Sequence, residues 1–355
     1  MADRLTVSVL VPLTERGIAT LRERIAPLAG QVQLRYEPGL MPVQRFPADH
    51  KGSPDFVRDA GQQAAWEKLL AATNVALGFP GDSPAGFAYL VEMAPELAWV
   101  HGTASGAGEQ VRRSGIDAAR LAEIPVTKSA GVHAVPLAEF ALFGMLAFAK
   151  DIDVLRALAR ERRWPDRWPM RQLAGSRLTV VGLGQVGCAI AERAGALGMS
   201  VTGVRRHPVS AGPLPVQHLV GPDDLSRALS GADYVALALP GTAETTALIG
   251  AGQLAQLPRH AVLVNVGRGT ALDEDALIEA LRTGRLRGAV LDVTQAEPLH
   301  PGSPLWDMDN VIISPHTAAL SPDEDTLISQ LFAGNLNRFL SGQPLRNRIH
   351  PDAMY

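Results

Sequence analysis

The segment VVGLGQVG at residues 180–187 decides the fold. It sets Gly182, Gly184 and Gly187 in a G-x-G-x-x-G pattern between an aliphatic run, RLTVVG, and a helix-like run, QVGCAIAERAGAL. Each glycine has a task in such a turn. The first permits the tight bend, the second lets a pyrophosphate approach the backbone, and the third lets helix and strand pack closely. The helix beginning near Gln185 aims its N-terminal N–H groups at the phosphates. A lone match is a weak signal. This one follows a strand, opens a helix and leads to a second strand, SVTGV, about 20 residues later.

From residue 177 onward the same grammar repeats. The runs RLTVVG, SVTGV, ADYVALALP, AVLVNVG, GAVLDV and NVIISP alternate with QVGCAIAERAGAL, DDLSRALS, AGQLAQL and DEDALIEALRT. Near-continuous apolar strands between helices imply a parallel sheet covered on both faces. Six such strands predict a doubly wound, dinucleotide-binding α/β sheet.

The preceding region mixes strands and helices. LTVSVLVPL (5–13), QVQLRYE (31–37) and NVALGF (74–79) read as strands, and LAWVHGTASGAGEQV (97–111) as a strand running into a glycine-rich loop. TERGIATLRERIAPL (14–28) and QQAAWEKLLAAT (62–73) have helical patterns. Residues 38–60, rich in Pro, Gly and charge, read as loop. PLAEFALFGMLAFAKDIDVLRALARER (136–162) predicts one long helix with Pro136 in its first turn. Its middle is apolar on almost every side, so it is expected to be buried. SPDEDTLISQLFAGNLNRFLSG (321–342) predicts one helix capped by Ser321, with Pro322 in its first turn.

Bulk properties narrow the function. A chain of 355 residues has room for two cores, and 46% hydrophobic with 19% charged residues is ordinary for a globular protein. A net charge of −3 removes the electrostatic case for a nucleic-acid or membrane-surface protein. The single cysteine, Cys188, excludes an intramolecular disulfide and a Cys-rich zinc site, and no metal is expected. At the start of a helix it reads as a small packing residue rather than a reactive thiol. MADRLTVSVLVPL lacks the apolar core and cleavage site of a signal peptide, and no run approaches the ~20 apolar residues of a membrane span. A cytoplasmic protein is the expectation.

The stretch VTGVRRHP (201–208) addresses the cofactor. Arg205 and Arg206 stand where an Asp or Glu would bind the ribose hydroxyls of NAD. An acid there would repel a 2′-phosphate. Two guanidiniums favour it through charge-assisted hydrogen bonds. NADP(H) is therefore predicted in preference to NAD(H).

Three polar residues follow later strands, where ligand sites of α/β sheets lie. NVGRG carries Arg268, DVTQAEPL carries Glu297, and ISPHTA carries His316. Each alone has an ordinary reading: a surface arginine, a loop acid, a packed or solvent-facing histidine. Their joint placement fits carbonyl reduction, which needs a hydride donor, a proton donor and an orienting cation. Histidine suits proton transfer near neutral pH, and a neighbouring carboxylate holds its ring.

With these motifs in hand, residues 177–319 resemble the D-isomer-specific 2-hydroxyacid dehydrogenase family. The matching segments are VVGLGQVG, LALPGTAETTALIGAGQLAQLPRHAVLVNVGRGTALDEDALIEAL, GAVLDVTQAEPLHPGSPLW and NVIISPHTA. The resemblance implies that Arg268 binds the substrate carboxylate and carbonyl, that His316 is the acid/base, and that Glu297 is its partner. Asp292 would serve either cofactor or histidine electrostatics or a structural role. Gln185, Val186, Leu239, Pro240, Thr245, Val266 and Gly267 join the three glycines, Arg205, Arg206, Arg268, Asp292 and His316 on the implied cofactor surface. The family also implies two Rossmann-like domains: a cofactor domain, 129–318, inserted into a smaller flavodoxin-like substrate domain, 1–128 with 319–355. The nicotinamide would lie in the cleft between them.

The first region resembles the substrate domain more loosely. HGTASGAG (101–108) matches the loop whose amides bind the acid, with Ser105, Gly106 and Ala107 as candidates. GFPGD (78–82) is the other loop expected to border the cleft. The helix from Pro136 and the segment ERRWPDRWP resemble the dimerisation region, implying a homodimer through the cofactor domain. Trp164 or Trp168 would anchor that loop or reach the partner's active site. Thr294 departs from the family's usual aromatic, and 38–60 is an irregular insert. The end at Tyr355 leads to the expectation of a form without the regulatory extension of some phosphoglycerate enzymes.

The reading is a 2-oxoacid reductase for small 2-oxo or 2-hydroxy acids, with glyoxylate and hydroxypyruvate first. Phosphite and formate dehydrogenases of the family are alternatives. The formate pattern has Gln where Glu297 stands, which counts against it. A nucleotide-sensing protein like the family's corepressors is the other alternative, because such proteins can retain the same triad.

Overall fold

Two parallel sheets grow out of the aliphatic runs. The computed structural model describes residues 4–207 and 215–350. The chain divides into one unit of Met1–His133 with Leu320–Tyr355 and another of Ala134–Ala319. The first unit contains β1 (Leu5–Val9), α1 (Glu15–Ile25), β2 (Val32–Arg35), α2 (Ala60–Ala71), β3 (Val75–Leu77), α3 (Pro84–Met93), β4 (Trp99–Gly102), α4 (Ala107–Arg113), α5 (Ala118–Glu123) and β5 (Val126–Lys128). The second contains α6 (Ala134–Ala149), α7 (Ile152–Glu161), β6 (Arg177–Val181), α8 (Gln185–Ala196), β7 (Ser200–Val204), β8 (His218–Val220), α9 (Leu225–Leu229), β9 (Tyr234–Leu237), α10 (Ala251–Leu254), β10 (Val262–Asn265), α11 (Glu274–Arg282), β11 (Gly288–Leu291) and β12 (Val311–Ile313). The helix α12 (Glu324–Leu340) belongs to the first unit.

In the first unit the strand order is β2-β1-β3-β4-β5, all parallel, as in flavodoxin-like sheets. Every residue of β3 and β4 is buried, which is why they read as unbroken apolar runs. Helices begin where side chains satisfy their first N–H groups: Thr14 for α1, Asp59 with Gln62 for α2, Ser83 for α3 and Asp117 for α5. α12 lays Phe332 on Trp99, with stacked ring centres 5.0 Å apart. The segment 38–60 has only a short 3-10 turn, Pro38–Leu40. Side chains hold it instead. Gln44 donates to the Pro12 carbonyl at 3.0 Å and to Asp325 at 3.1 Å, and His50 Nε2 lies 2.8 Å from the same carboxylate.

The second sheet has the order β12-β11-β10-β9-β6-β7-β8, again all parallel. The order reverses between β6 and β9, so the loops after those strands are neighbours at the C-terminal edge. α6 and α8 cover one face, with Met145, Ile190 and Ala194 over Val180, Ala236 and Val264. α9, α10 and α11 cover the other, with Leu229, Leu254 and Leu277 over Val181, Val235 and Leu263.

Several sequence expectations are corrected. The sheet has one strand more than the six read from the sequence. β8 is three residues long, too short for a periodic signal. The stretch 136–162 is two helices, because Asp151 takes a positive φ of 49° between α6 and α7. Asp151 accepts the Trp168 indole N–H at 3.0 Å and pairs with Arg287 at 3.3 Å, while Arg287 also pairs with Asp153 at 2.8 Å. These anchors override continuous helical periodicity. α12 starts at Glu324 rather than after Ser321, whose hydroxyl accepts the Asp323 N–H at 3.2 Å in a preceding turn. Pro322 thus lies before the helix. Among the described residues no helix is long and apolar enough to cross a membrane.

Candidate active site

At the C-terminal edge of the second sheet, β6 ends in a turn at Gly182, whose φ is 100°. Its N–H donates to the Val204 carbonyl at the end of β7, at 3.0 Å. The three glycines have different surroundings. A Cβ on Gly182 would crowd the Ala238 carbonyl, and one on Gly187 would overlap the Gly182 carbonyl. A Cβ on Gly184 would meet nothing within 4 Å. Two glycines therefore close the turn upon itself, and the middle one leaves open space above the backbone. Gly184 is also the N-cap of α8, and no side chain caps that helix. Gln185 and Val186 form its first two positions. A phosphate is the kind of acceptor such an N-terminus takes, so these residues fit a dinucleotide.

The pairing of β6 with β7 sets Val181 against Val204, so Arg205 emerges beside the glycine turn. Arg205 and Arg206 are both exposed. The Arg206 guanidinium lies 3.9 Å from Glu244, in the loop after β9. The Thr242 hydroxyl and its own backbone N–H hold the Glu244 carboxyl below the usual carboxylate range, and Arg206 adds to this. Burial pushes the Cys188 thiol up, with Arg205 pulling the other way. It is a packed thiol, not an activated one.

The neighbouring loops are tightly built. Leu239 and Pro240 follow β9, and the Thr245 hydroxyl donates to the Pro240 carbonyl at 2.7 Å. The Val266 N–H donates to the Leu237 carbonyl at 3.1 Å. A Cβ on Gly267 would strike the backbone of Leu239.

Strands β10, β11 and β12 are consecutive in the sheet, with Asn265, Leu291 and Ile313 in register. Neighbouring strands lie about 4.8 Å apart. Arg268, Glu297 and His316 therefore leave three adjacent strand ends. His316 Nδ1 is 2.7 Å from Glu297 Oε2, and their side chains are 45% and 39% exposed. An ionised carboxylate only accepts, so the neutral ring carries its proton on Nδ1. Nε2 has no protein partner among the described residues. Arg268 is exposed, and its guanidinium donates to the Gly267 carbonyl at 2.7 Å. Among the described residues no carboxylate lies within ion-pair distance of it. Asp292 is 2% exposed, with Oδ1 accepting from the Ser314 hydroxyl at 2.7 Å and the Ala318 N–H at 3.0 Å. Its carboxylate is turned to the fold rather than to solvent.

Sequence reasoning passed over Asn265. It is fully buried, its amide donates to the Arg268 carbonyl at 3.1 Å, and its oxygen accepts the Gly267 N–H at 3.1 Å. A buried amide inside AVLVNVG is the signal that pointed to it, because such a group needs partners. Ser314 and the backbone of Thr294 were also missed. Thr294 donates its N–H to Glu297 Oε1 at 3.3 Å, and its carbonyl leaves no room for a Cβ on Gly269.

The first unit holds the other loop. Ser105 and Gly106 precede α4, with Gly106 as its N-cap and Ala107 as its first residue. Ala107 is fully buried and its N–H donates to the Ala104 carbonyl at 3.3 Å, so that amide is already engaged. The Asp82 carboxylate accepts from the Thr103 hydroxyl at 3.4 Å, and Gln110 donates to the Asp82 carbonyl at 3.0 Å. These bonds join the 78–82 loop to the glycine-containing loop. Among the described residues no group of three His, Cys, Asp or Glu is arranged to hold a metal ion.

Residues 142–318 match the family described as D-isomer specific 2-hydroxyacid dehydrogenase, NAD binding domain. A glyoxylate reductase of Korarchaeum cryptofilum is 34% identical over 239 residues, covering 65% of this chain and 70% of that one. A D-3-phosphoglycerate dehydrogenase of Archaeoglobus fulgidus is 33% identical over 69% of this chain but 46% of its own length, so the chain spans about half of that relative. A solved D-isomer specific 2-hydroxyacid dehydrogenase from Xanthobacter autotrophicus Py2, in complex with NADPH and MES, aligns over 100% of both chains with a TM-score of 0.76 and 30% identity.

Proposed function

The chain belongs to the D-isomer-specific 2-hydroxyacid dehydrogenase family of NAD(P)-dependent oxidoreductases acting on CH–OH groups, and from that premise we propose an NADP(H)-preferring reductase of small 2-oxoacids, with glyoxylate and hydroxypyruvate as first substrates. The observation that carries the proposal is the 2.7 Å contact between His316 and Glu297 at strand ends next to that of Arg268.

In this reading Arg268 pairs with the substrate carboxylate and polarises the carbonyl. A dinucleotide held at the Gly182–Gly187 turn would supply the hydride that C2 accepts. Protonated His316 gives the Nε2 proton to the carbonyl oxygen, which becomes the hydroxyl. Glu297 keeps the ring oriented through Nδ1. Asn265 holds the backbone around Arg268, and Asp292 holds the turn around His316. In the first unit, the Ser105 and Gly106 amides offer carboxylate contacts. Ala107 contributes less, since its N–H has an acceptor.

The NADP preference is supported by Arg205 and Arg206 and by the NADPH bound to the Xanthobacter relative. A homodimer through the second unit is supported by exposed Phe143 on α6 and by exposed Val154 and Leu155 on α7. Of the two tryptophans, Trp164 is 97% exposed while Trp168 is tied to Asp151. Trp164 is thus the better candidate for a partner contact.

A panel of 2-oxoacids with NADPH and NADH, followed by nicotinamide absorbance, tests the proposal. Turnover is expected with glyoxylate or hydroxypyruvate, with higher kcat/KM for NADPH. Tight dinucleotide binding without turnover of any acid would replace the reductase with a nucleotide sensor. Oxidation of phosphite alone would move the protein to that branch.

A further inference from the structure

Toward the N-terminal ends of β6, β7 and β8 the second unit has a cavity of about 530 Å³. Strand register explains its floor. Thr179 is level with Thr202, and Thr202 with His218, so the three form one row across three strands. Alternate residues share a face, which places Val181, Val204 and Val220 in the next row on that face. The valine row continues the apolar core under Leu225 and Leu229 of α9. The row of Thr179, Thr202 and His218 is polar.

α9 has five residues and engages Thr179, whose hydroxyl donates to the Ala228 carbonyl at 2.8 Å. Among the described residues the Thr202 hydroxyl and the His218 ring have no hydrogen-bond partner. Two guanidiniums stand at the wall. Arg177 lies against Gly231, where a Cβ would meet its Nη1 at 2.6 Å, and it has no ion-pair partner within 4.0 Å among the described residues. Arg227 is 3.5 Å from Asp224 and its side chain is 75% exposed. No Asp or Glu lines the cavity among the described residues. The nearby Asp233 is already engaged, by the Arg177 backbone N–H at 2.7 Å and by His260 at 2.6 Å.

Cations, an imidazole and a hydroxyl without a lining carboxylate make an anion site. The volume exceeds that of an inorganic ion, and Val220 and Ala232 offer apolar wall to a carbon skeleton. We propose that this cavity binds a small organic phosphate monoester, at a site separate from the dinucleotide. Arg177 opens β6 and the glycine turn follows its end. Five residue steps along the chain put about 16 Å between Arg177 and Gly182. The same two strands that carry Gly182 and Arg205 at one end would hold the anion at the other. The proposal does not depend on which dinucleotide or acid the protein uses.

Calorimetric titration of the full chain, saturated with its nicotinamide dinucleotide and held at constant ionic strength, tests it. Glycerol 3-phosphate, inorganic phosphate and citrate serve as separate probes. Glycerol 3-phosphate is expected to bind saturably at one site. Arg177→Gln with Arg227→Gln is expected to weaken it about tenfold or more while dinucleotide affinity is unchanged. If the double variant does not fold, Arg227→Gln alone carries the comparison, because its side chain is largely exposed. In the wild type, the His218 ring signals in NMR should shift with the same saturation curve. Equal binding of inorganic phosphate would overturn the organic ester, and tighter citrate binding would overturn the phosphate class. No saturable binding, or unchanged affinity in the arginine variants, would overturn the site.

Discussion

Asp292 fixes His316 from two sides: its carbonyl accepts the His316 N–H at 2.9 Å, and its buried carboxylate ties Ser314 at 2.7 Å and Ala318 at 3.0 Å. The turn that presents the imidazole is thus built on a neighbouring strand end. Asp292→Ala leaves two donors without an acceptor. A stability loss of about 2 kcal/mol is expected in urea denaturation. Misplacing the ring should lower kcat by roughly tenfold to a hundredfold. Asp292→Asn keeps an oxygen acceptor and should recover most of both; equal damage by the two variants would point away from this hydrogen-bonding role.

His316→Ala is expected to lower kcat by on the order of 10²–10⁴ while dinucleotide affinity, read by fluorescence titration, is retained. Glu297→Gln should fall between the two proteins, because the ring loses a charged partner but keeps Nε2. Near-normal turnover of His316→Ala would remove it from proton transfer.

For cofactor choice, Arg206→Ala is expected to raise KM for NADPH by about tenfold or more and leave NADH unchanged. Glu244 faces Arg206 at 3.9 Å, so its carboxylate competes with a 2′-phosphate. Glu244→Gln should lower KM for NADPH, by less than about fivefold given the exposure of the pair. Identical shifts with both cofactors would contradict a phosphate-specific role.

The glycine turn separates folding from binding. Gly187→Ala would drive a Cβ into the Gly182 carbonyl and should cost about 1–3 kcal/mol of stability. Gly184→Ala meets nothing within 4 Å, so it should fold like the wild type yet bind dinucleotide more weakly. Thermal melts with and without cofactor distinguish the two.

Two buried histidines give opposite pH dependences. Burial holds His101 neutral, with its pKa down at about 3 against an ordinary 6.5. The unfolded chain takes up that proton first, so stability falls as pH drops from 6.5 toward 3. The slope approaches about 1.4 kcal/mol per pH unit. For His50, burial opposes the charge, but Asp325, Glu324 and Asp82 outweigh it and raise its pKa. That contribution is complete below 6.5 and is lost as pH rises through the raised value. In urea denaturation across pH, His101→Asn should flatten the acid limb and His50→Gln the alkaline one. Unchanged limbs would show that neither proton is linked to folding.

The strands from residue 177 onward were legible because a parallel sheet buried on both faces leaves unbroken aliphatic runs. Their ends then locate Arg268, Glu297 and His316, and the structure brings the last two into contact. What was illegible depends on distant partners. The break at Asp151 needs Arg287, 136 residues away, and the 38–60 segment is held through Gln44 by Asp325, 281 residues away. Periodicity carries no trace of either. The first chain crossing was read after residue 128, whereas the units part after His133. No composition shift marks those few residues. The role of Asp292 stayed open because its sequence neighbours do not reveal where Ser314 and Ala318 return.

His316 has a φ of 55°, in the left-handed region where a side chain is strained by about 1–3 kcal/mol. Glycine would occupy that position without strain, whereas the exposed pair with Glu297 returns at most about 1 kcal/mol. If His316 is the proton donor proposed above, heat resistance and turnover pull in opposite directions at one residue. Selection for thermal robustness alone would then drift away from histidine here, and selection for the reaction would hold the ring in place.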